Sequence, residues 1–292
     1  MAPITIPESF KEKHIAVKVL ERTKESIIIH SLLRKPPADS SPSPRCLKIV
    51  NNQPPHINKS FVTMLKSIQA QPSHRLVRIL DHDESHYVRW YTMRYINGQN
   101  ASYMLANYYL TGFPPFLFFR ILDQLYKGEM HLQAHGLYFV NLCPGDNIML
   151  HMREVAIIPN VTLVGYQGVK RYDASRDRAI FTYFMDLAKR MTRGERKVPD
   201  FYRRVRGGEE FPSGSLKDAD RVYKFVADFE WREGYTLKRF FEEGMLGVKI
   251  CALVGELFDG GMAEELQVWI RRPVVKEEDI ERGVASGGLE EV

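Results

Sequence analysis

Several residue types are missing from long stretches of this chain. There is no glycine before Gly98, so the preceding segment contains no glycine-rich loop of the kind that lets backbone amides approach a phosphate group. No aspartate or glutamate lies between Lys48 and Asp81. A second acid-free stretch separates Glu154 from Asp173. Neither stretch can therefore supply a carboxylate to a metal ion or act as an acid or base through one.

Cysteine and long apolar runs are also scarce. The three cysteines, Cys46, Cys143 and Cys251, are far apart and follow no metal-ligand spacing, so we expect reduced thiols, no disulfide and no zinc site. No apolar run approaches the roughly 18 residues of a membrane span, and the first residues lack the core of a signal peptide. These absences predict a cytoplasmic or nuclear protein with no membrane partner.

The composition allows a large core. With 292 residues, of which 44% are apolar, the chain can form one large domain or two lobes. The net charge of +5 arises from 41 basic and 36 acidic residues spread along the chain, which favours an ordinary solvated surface. A nucleic acid is therefore not expected as a partner, although a weaker hypothesis uses basic segments such as Arg203 to Arg206 for this purpose.

The first 96 residues have the pattern of a small unit rich in strands. A proline- and serine-rich stretch from Lys35 to Arg45 predicts an exposed loop within it. The apolar period of Ile57 to Gln69 predicts one helix. The β-branched and apolar runs predict five strands, at Ile15 to Leu20, Ile27 to Leu33, Arg45 to Val50, Leu76 to Leu80 and His86 to Ile96.

Residues 97 to 275 have a mainly helical pattern, which makes the whole chain an α+β protein. An irregular stretch from Leu137 to Tyr172 contains two short apolar runs, Ile148 to Leu150 and Val155 to Ile158. Residues 276 to 292 are acidic and contain glycine, which predicts a mobile tail. Helices are predicted at Ala101 to Tyr109, Pro114 to His135, Asp177 to Arg193, Ala219 to Phe229, Leu237 to Glu243 and Leu246 to Phe258.

One segment carries a family resemblance. Residues 135 to 150, HGLYFVNLCPGDNIML, resemble the catalytic loop of protein kinases, H-G-x-x-H-R-D-L-K-P-x-N-I-x-L. The agreeing residues are Gly136, Leu142, Pro144, Asn147, Ile148 and Leu150. The chain thus resembles a degenerate member of the protein kinase superfamily. The resemblance implies a two-lobed fold, with a five-stranded sheet and one helix in the N-lobe and a helical C-lobe.

The same resemblance assigns positions for nucleotide binding, here as remnants of an ATP site. Lys48, in the segment RCLKIV, matches the strand lysine that contacts phosphates. The segment YTMRYING resembles the hinge, with Met93 as gatekeeper and Arg94 to Ile96, Tyr95 among them, offering backbone groups to an adenine. Asn147 matches the asparagine that binds the metal. ATP and Mg²⁺ are the cofactors that an active member would use.

The catalytic positions depart from the family pattern. Phe139, Val140 and Asn141 replace the His-Arg-Asp triplet, and an asparagine amide cannot accept a proton at neutral pH. Cys143 replaces the lysine of this loop. An extra residue places Asp146 beside Asn147, where it is either a substitute base or magnesium ligand, or a turn residue that bonds its own backbone.

The metal-binding triplet Asp-Phe-Gly is also replaced. Aligning Val155 to Val161 with the strand that precedes it puts Pro159, Asn160 and Val161 in its place, and a shifted alignment uses Tyr166 to Gly168. Both alignments lack the acid, so neither supplies a carboxylate ligand for a metal ion. The helix after Lys48 offers Lys59 and Lys66 but no glutamate to pair with it, and the alternative interpretation of Lys48 is a surface lysine on an edge strand.

These departures predict a pseudokinase, that is, a scaffold or regulator that binds a protein partner such as an active kinase. Nucleotide binding and phosphotransfer would then be weak or absent, because several charged groups on which phosphoryl transfer depends are missing together. The alternative hypothesis is an atypical active serine/threonine protein kinase that uses ATP. In that case a migrated carboxylate, Asp146 or Asp173, would do the chemistry.

Overall fold

The computed structural model describes most of the chain. It describes residues 6–22, 26–35, 45–50, 59–68, 75–86, 88–140, 142, 145–152, 156–165, 169–200, 213–242 and 250–289. For Arg22, Ser26, Ser213 and the strand 45–50 it describes the backbone only. The chain divides into two compact units, one formed by residues 1–97 and 273–292 and the other by residues 98–272. No helix among the described residues is both long enough and apolar enough to cross a membrane.

The first unit is built on an antiparallel sheet of five strands. The order across the sheet is β1-β2-β3-β5-β4. A short helix, α1 (Glu8–Lys11), precedes the sheet, and α2 (Lys59–Ile68) lies between β3 and β4 in sequence. The strands are β1 (His14–Arg22), β2 (Ser26–Leu33), β3 (Arg45–Val50), β4 (Ile79–His82) and β5 (Trp90–Arg94).

One face of this sheet forms a core because alternate residues of a strand point to the same side. Ile27 and Ile29 of β2 and Trp90 of β5 are buried there with Phe10 of α1. Phe10 contacts the Trp90 ring edge-on, with the ring centroids 5.5 Å apart. The intervening residue of β2, Ile28, is only half-buried, so the alternation of the sequence is reproduced in the burial of the strand.

The C-terminal segment belongs to this first unit and contains a helix, α10 (Glu277–Ala285), which packs against β1. The prediction of a mobile tail over 276–292 is therefore wrong for residues 277–285. Asp279 accepts a hydrogen bond from the backbone N–H of Lys276, 3.1 Å, and forms an ion pair with Lys18 of β1, 2.7 Å. An acidic composition with glycines favours disorder, but here an acidic residue stabilises the start of the helix and a glycine allows a close approach to the sheet.

That close approach depends on Gly283. A Cβ at this position would lie 3.0 Å from the Cα of Val17, so the helix backbone could not come as near to β1 with any larger residue. Beyond the helix, the backbone N–H of Leu289 donates to the carbonyl of Ala16, 2.9 Å. The Leu289 side chain packs against the core of the sheet. The segment thus covers part of the edge strand β1.

The second unit is mainly helical. Its longest helix, α4, has buried phenylalanine and leucine side chains along much of its length. Packing of such apolar side chains is what stabilises a helix of this kind. The helices are α3 (Ala101–Asn107), α4 (Pro115–Gln133), α5 (Asp177–Thr192), α6 (Ser213–Ala227), α7 (Leu237–Glu242), α8 (Ile250–Glu256) and α9 (Gly260–Ile270). A 3₁₀ turn, Ala174–Arg176, precedes α5.

Two small sheets lie in the irregular part of this unit. The strand order is β6-β8-β9 in one, and β7 pairs with β10 in the other. The strands are β6 (Gly98–Asn100), β7 (Leu137–Phe139), β8 (Ile148–His151), β9 (Asn160–Leu163) and β10 (Val169–Arg171). Residues 156–158 of the apolar run are not part of a strand, since β9 begins at Asn160. Pro159 precedes it and can open a strand but cannot donate to a ladder from within one.

Candidate functional site

Lys48 lies in the middle strand of the five-stranded sheet. In the register of β3, its Cα is opposite Ile28 of β2 on one side and Tyr91 of β5 on the other. The alternative interpretation of a lysine on an edge strand is therefore wrong, because β3 is paired on both sides. The structure describes the backbone of this strand and not its side chains, and it thus gives the position of Lys48 within the sheet.

The helix α2 brings no acidic side chain to this region. The carboxylates of the neighbouring β4–β5 connection are occupied by other partners. Asp81 is in ion-pair range of His14 and Lys13, both at 3.5 Å, and Asp83 pairs with Arg89, 3.1 Å. Burial alone would raise the pKa of Asp81, but the nearby His14 ring, the hydrogen bond from the His82 amide and the charge of Lys13 lower it to about 2. Asp81 and Asp83 thus serve local structure.

Met93, the predicted gatekeeper, and Tyr95, predicted to offer backbone groups to an adenine, lie in and just after β5. Met93 is buried, and its Cα is opposite Cys46 of β3 and Ile79 of β4. The Tyr95 ring meets the ring of His30 of β2 edge-on, with centroids 4.7 Å apart. His30 is 1% exposed, and its burial, followed by the charge of Lys18, lowers its pKa to about 4. A neutral imidazole ring therefore lies against Tyr95.

The loop that resembles a kinase catalytic loop follows β7 in the second unit. Asn141, Cys143 and Pro144 lie outside the described residues, and Leu142 between them is buried. The chain then turns at Gly145, whose φ is 102° and whose carbonyl accepts from the Ile148 N–H, 3.1 Å. The turn leads directly into β8, and the hydrogen bond from Ile148 to Gly145 holds the residues before that strand.

Asp146 and Asn147 differ in their surroundings although they are neighbours. Asp146 is exposed, and its carboxylate makes no hydrogen bond or ion pair with another residue that the structure describes. The predicted bond from Asp146 to its own backbone is thus not observed. The Asn147 carbonyl accepts from the Val164 N–H, 2.8 Å. A Cβ at Gly165, whose φ is 82°, would overlap the Asn147 Oδ1, so a glycine is needed beside this amide.

The resemblance to kinases puts the metal-binding triplet directly after a strand, and in this structure that place belongs to the residues that follow β9. Pro159 and Asn160 come before or at the start of β9, so the alignment that put them after the strand is wrong. They contact Arg120 of α4, which donates to the Pro159 carbonyl, 3.3 Å, and to Asn160 Oδ1, 3.4 Å. The strand is followed by Val164 and Gly165, and the shifted alternative, 166–168, lies outside the described residues.

A buried carboxyl group on α4, Glu129, supports this loop from behind. Its Oε2 accepts from the Phe139 backbone N–H of β7, 3.1 Å, and its Oε1 accepts from Gln133 Nε2, 3.2 Å. The residue is 1% exposed. Burial raises the pKa of Glu129 to about 7, while the two hydrogen bonds oppose the rise. Glu129 therefore positions the strand that enters the loop.

Sequence patterns assign no role to Glu129, although one signal is present. On a helix, residues three and four positions apart share a face, and Leu125 and Leu132 flank Glu129 at these spacings. An acidic residue in an apolar stripe is uncommon unless its carboxyl group is hydrogen-bonded. This signal indicates a buried carboxyl but not which backbone amide it holds.

The described part of the chain offers no metal-binding cluster. No group of three or more histidine, cysteine, aspartate or glutamate side chains is arranged to hold an ion within the ranges described. In the loop region, the available oxygen ligands are the exposed carboxylate of Asp146 and the amide of Asn147. One carboxylate and one amide provide fewer charged ligands than the pair of metal ions in a kinase site requires.

A scan of protein-family models finds no match to this chain, and a search of curated proteins finds no significant match. Among solved structures the chain is similar to the PknI kinase domain of Mycobacterium tuberculosis, with 14% sequence identity over 74% of this chain and 95% of that domain, and a TM-score of 0.48. Two mutant forms of the same domain match at 15% and 16% identity, over 74% of this chain and 94% and 93% of theirs, each with a TM-score of 0.47. The similarity concerns the fold alone.

Proposed function

We propose that this chain is a kinase-like protein that does not transfer phosphate and acts as a scaffold or regulator through protein–protein interaction. The observation that carries the proposal is the acid-free stretch between Glu154 and Asp173. The strand β9 and the residues that follow it lie within this stretch. Whichever of its residues takes the place of the metal-binding aspartate, none of them has a carboxylate to hold Mg²⁺.

The order of elements in the first unit supports the kinase-like part of the proposal. A five-stranded antiparallel sheet with one helix between its third and fourth strands is the N-lobe arrangement that the sequence resemblance implies. Lys48 lies on the third strand and Met93 on the fifth, which agrees with their assigned roles. The pairing glutamate is missing from α2, so Lys48 lacks the partner that orients it in active kinases.

The surroundings of the assigned adenine residues favour weak or absent nucleotide binding. Tyr95 is in ring contact with His30, and the space beside this tyrosine is thus partly taken by a side chain of the same unit. The protein has no glycine in the β1–β2 connection to bring amides close to a phosphate. Both features would lower the affinity for a nucleotide, and they would do so independently of the missing catalytic carboxylates.

Magnitudes also favour an inactive protein. Removing one preorganised donor or charged group from a catalytic site commonly costs about 2.7 to 4 kcal/mol of transition-state stabilisation. Here the catalytic base position is Asn141, the metal-binding acid is missing, and Lys48 has no acidic partner on α2. Such losses are not additive, but together they leave little acceleration over the uncatalysed reaction.

A phosphotransfer assay tests the proposal. Purified protein is incubated with labelled ATP, Mg²⁺ or Mn²⁺ and generic protein acceptors, beside the variant Lys48→Ala. We expect the two proteins to give the same background, and we expect ATP with metal to raise the melting temperature of neither. Transfer that is present in the natural chain and lost in Lys48→Ala would overturn the proposal.

A second candidate, an atypical active serine/threonine kinase, is favoured by one observation. Asp146 is exposed beside Asn147 and has no partner among the described residues, so its carboxylate is available. Asp173 is less suited, because its side chain caps the 3₁₀ turn by accepting from the Ser175 N–H, 3.0 Å, and it also accepts from the Ser175 hydroxyl.

The two aspartates provide a matched test of this candidate. If Asp146 is the migrated carboxylate, Asp146→Asn abolishes metal-dependent transfer and Asp173→Asn leaves most of it. If neither variant changes the signal relative to the natural chain, the candidate is wrong. The nucleic-acid hypothesis rests on Arg203 to Arg206, which lie outside the described residues, and no observation favours it.

A further inference from the structure

An exposed row of stacked side chains lies on the second unit, where the end of α9 meets α3. The ring of Tyr108 stacks on that of Trp269, with centroids 4.2 Å apart and planes 28° apart. Tyr103 of α3 meets Tyr108 edge-on at 5.8 Å. On the other side, the guanidinium carbon of Arg272 lies 3.9 Å from the centre of the Trp269 ring. We call Tyr103, Tyr108, Trp269 and Arg272 the aromatic patch.

Exposed apolar side chains lie near the patch residues along the chain or through a hydrogen bond to α9. Tyr103 is 43% exposed, Val268, next to Trp269, is 61% exposed, and Leu110, two residues after Tyr108, is 68% exposed. Ile157 is 58% exposed, and its carbonyl accepts from Gln267 of α9, 3.3 Å. These four are the exposed large apolar residues described in the second unit. Apolar residues that cluster in this way at a surface mark a binding site more often than scattered ones.

The region carries two arginines that have no ion-pair partner in the described structure, and the acidic residues Glu264 and Glu265 lie in the helix α9 that precedes them. Arg271 and Arg272 are both exposed, and no carboxylate of the described chain lies within ion-pair distance of either guanidinium group. An arginine stacked on an indole ring keeps its N–H groups at the edge of its plane, from which they can bind a carboxylate in a bidentate manner. The stacking also fixes the arginine before binding, so less entropy is lost on association.

We propose that the aromatic patch is a docking site for an acidic protein segment that carries an aromatic side chain. The acidic groups bind Arg271 and Arg272, and the aromatic ring packs on the exposed face of Tyr103 and the neighbouring apolar residues. Tyrosine, tryptophan and arginine are the residues that contribute most often to binding energy at protein interfaces. The inference deepens the proposed scaffold function, on which it rests, by naming the chemistry of the partner.

The chain contains a matched control for this site. Arg178 stacks on Trp231 in the same unit, with the guanidinium carbon 4.6 Å from the ring centre. This second pair has the same chemistry, and none of the four exposed apolar residues of the unit is next to it in sequence. Substituting Arg178 removes the same charge as substituting Arg272, so a difference between the two variants reports the site and not the net charge of the protein.

The probe is a fluorescent random copolymer of glutamate and tyrosine, and its binding to the full chain is measured by anisotropy without ATP. We expect Arg272→Ala to weaken binding at least fivefold, Tyr103→Ala at least threefold, and Arg178→Ala less than twofold. Polyglutamate without tyrosine is expected to bind at least fivefold more weakly than the copolymer. Circular dichroism confirms that each variant is folded, and Tyr103, being on the surface, can be replaced even if Arg272 cannot.

The inference is overturned if the copolymer does not bind, if Arg178→Ala and Arg272→Ala weaken it equally, or if polyglutamate binds as tightly as the copolymer. Tighter binding of single-stranded DNA than of the copolymer, lost in the same variants, would also overturn it in favour of a nucleic-acid site. Because the assay contains no nucleotide, its failure leaves the phosphotransfer result intact. Phosphotransfer activity, conversely, would contradict the scaffold function without changing the binding data.

Discussion

Each of the two units buries an ionisable side chain, and the surroundings of the two groups differ. In the first unit the buried His30 lies against Tyr95, and its Nδ1 has no hydrogen-bond partner among the described residues. In the second unit the equally buried Glu129 accepts two hydrogen bonds, one of them from the backbone of β7. Burial lowers the pKa of the histidine and raises that of the glutamate, so both groups are biased towards the neutral form.

The difference shows that a buried ionisable group can either leave a ring nitrogen without a hydrogen-bond partner in the described structure or hold the backbone of a neighbouring strand. In the first unit, His30 and Met93 are buried side chains that carry no charge near neutral pH, although Lys18 lies opposite His30 on the neighbouring strand. In the second unit the carboxyl of Glu129 holds Phe139, the residue at the start of the altered triplet, through its backbone. The loop is thus positioned by a buried group that takes no part in phosphate chemistry.

The largest effect is expected from Glu129→Ala. The substitution leaves the buried Phe139 N–H without its acceptor and creates a cavity in α4, which together should lower the free energy of unfolding by about 3 kcal/mol. Gln133→Ala removes only the second hydrogen bond and should cost about 1 kcal/mol. Urea unfolding at pH 5.5 measures both values. A cost below that of Gln133→Ala would show that Glu129 does not hold β7.

The pH dependence of stability provides a second test of the same group. Because the pKa of Glu129 rises from 4.5 to about 7 on folding, the folded chain keeps a proton that the unfolded chain releases. Its contribution is complete below pH 4.5 and is lost as the pH rises to 7. The natural chain should lose about 3 kcal/mol over this range relative to Glu129→Gln, which has no proton to release.

Urea unfolding of both proteins at several pH values gives this difference directly. Other titrating groups, including His30, contribute equally to both proteins and cancel in the comparison. The group that faces Glu129 from outside α4 in the described chain is Tyr172, and burial followed by its hydrogen bond to Asp177 raises its pKa to about 12, so it does not titrate in this range. Parallel curves for the two proteins would contradict the assignment.

Sequence patterns predict much of the fold because its strands and long helices have clear periods. The strands β1, β2 and β3 and the helices α4 and α5 lie where the β-branched runs and apolar stripes predict them. The helix α9 is not among the predicted helices, since its apolar positions are interrupted and its start is marked by two glycines. Short strands such as β6 and β10, three residues each, are too short to show any period.

The candidate site was less predictable, for physical reasons that differ between residues. The lack of acidic residues could be seen in the sequence because it holds in every alignment of the stretch. The position of Pro159 and Asn160 could not be predicted. A proline can stand before or after a four-residue strand, and the composition of the stretch does not distinguish the two orders. The contact of His30 with Tyr95 depends on the pairing of β2, β3 and β5, which are far apart in sequence.

The first unit can be tested at its C-terminal segment. Gly283→Val adds side-chain atoms where even a Cβ would lie 3.0 Å from Val17, so α10 must move away from β1. We expect a loss of about 2 kcal/mol from overpacking, and faster hydrogen exchange of the Leu289 amide, which donates to Ala16. Ala285→Val, at an exposed position of the same helix, is the control. Equal exchange in both variants would mean that Gly283 is not required for the contact.

The smallest effect is expected from His30, and its sign is opposite to that of Glu129. Since its pKa falls from 6.5 to about 4 on folding, the unfolded chain takes up a proton that the folded chain refuses, and stability declines as the pH falls from 6.5 to about 4. His30→Phe keeps a ring against Tyr95 but cannot be protonated, so its unfolding free energy should exceed that of the natural chain by a margin that grows to about 1 kcal/mol at pH 4. The shift comes first from burial and then from the charge of Lys18, and we discount it relative to Glu129 because the Lys18 side chain is 38% exposed and its charge is screened by solvent. His135→Phe, at an exposed position, controls for the replacement of a histidine by a phenylalanine. A margin for His30→Phe that does not change with pH would remove the proposed contrast between the two units.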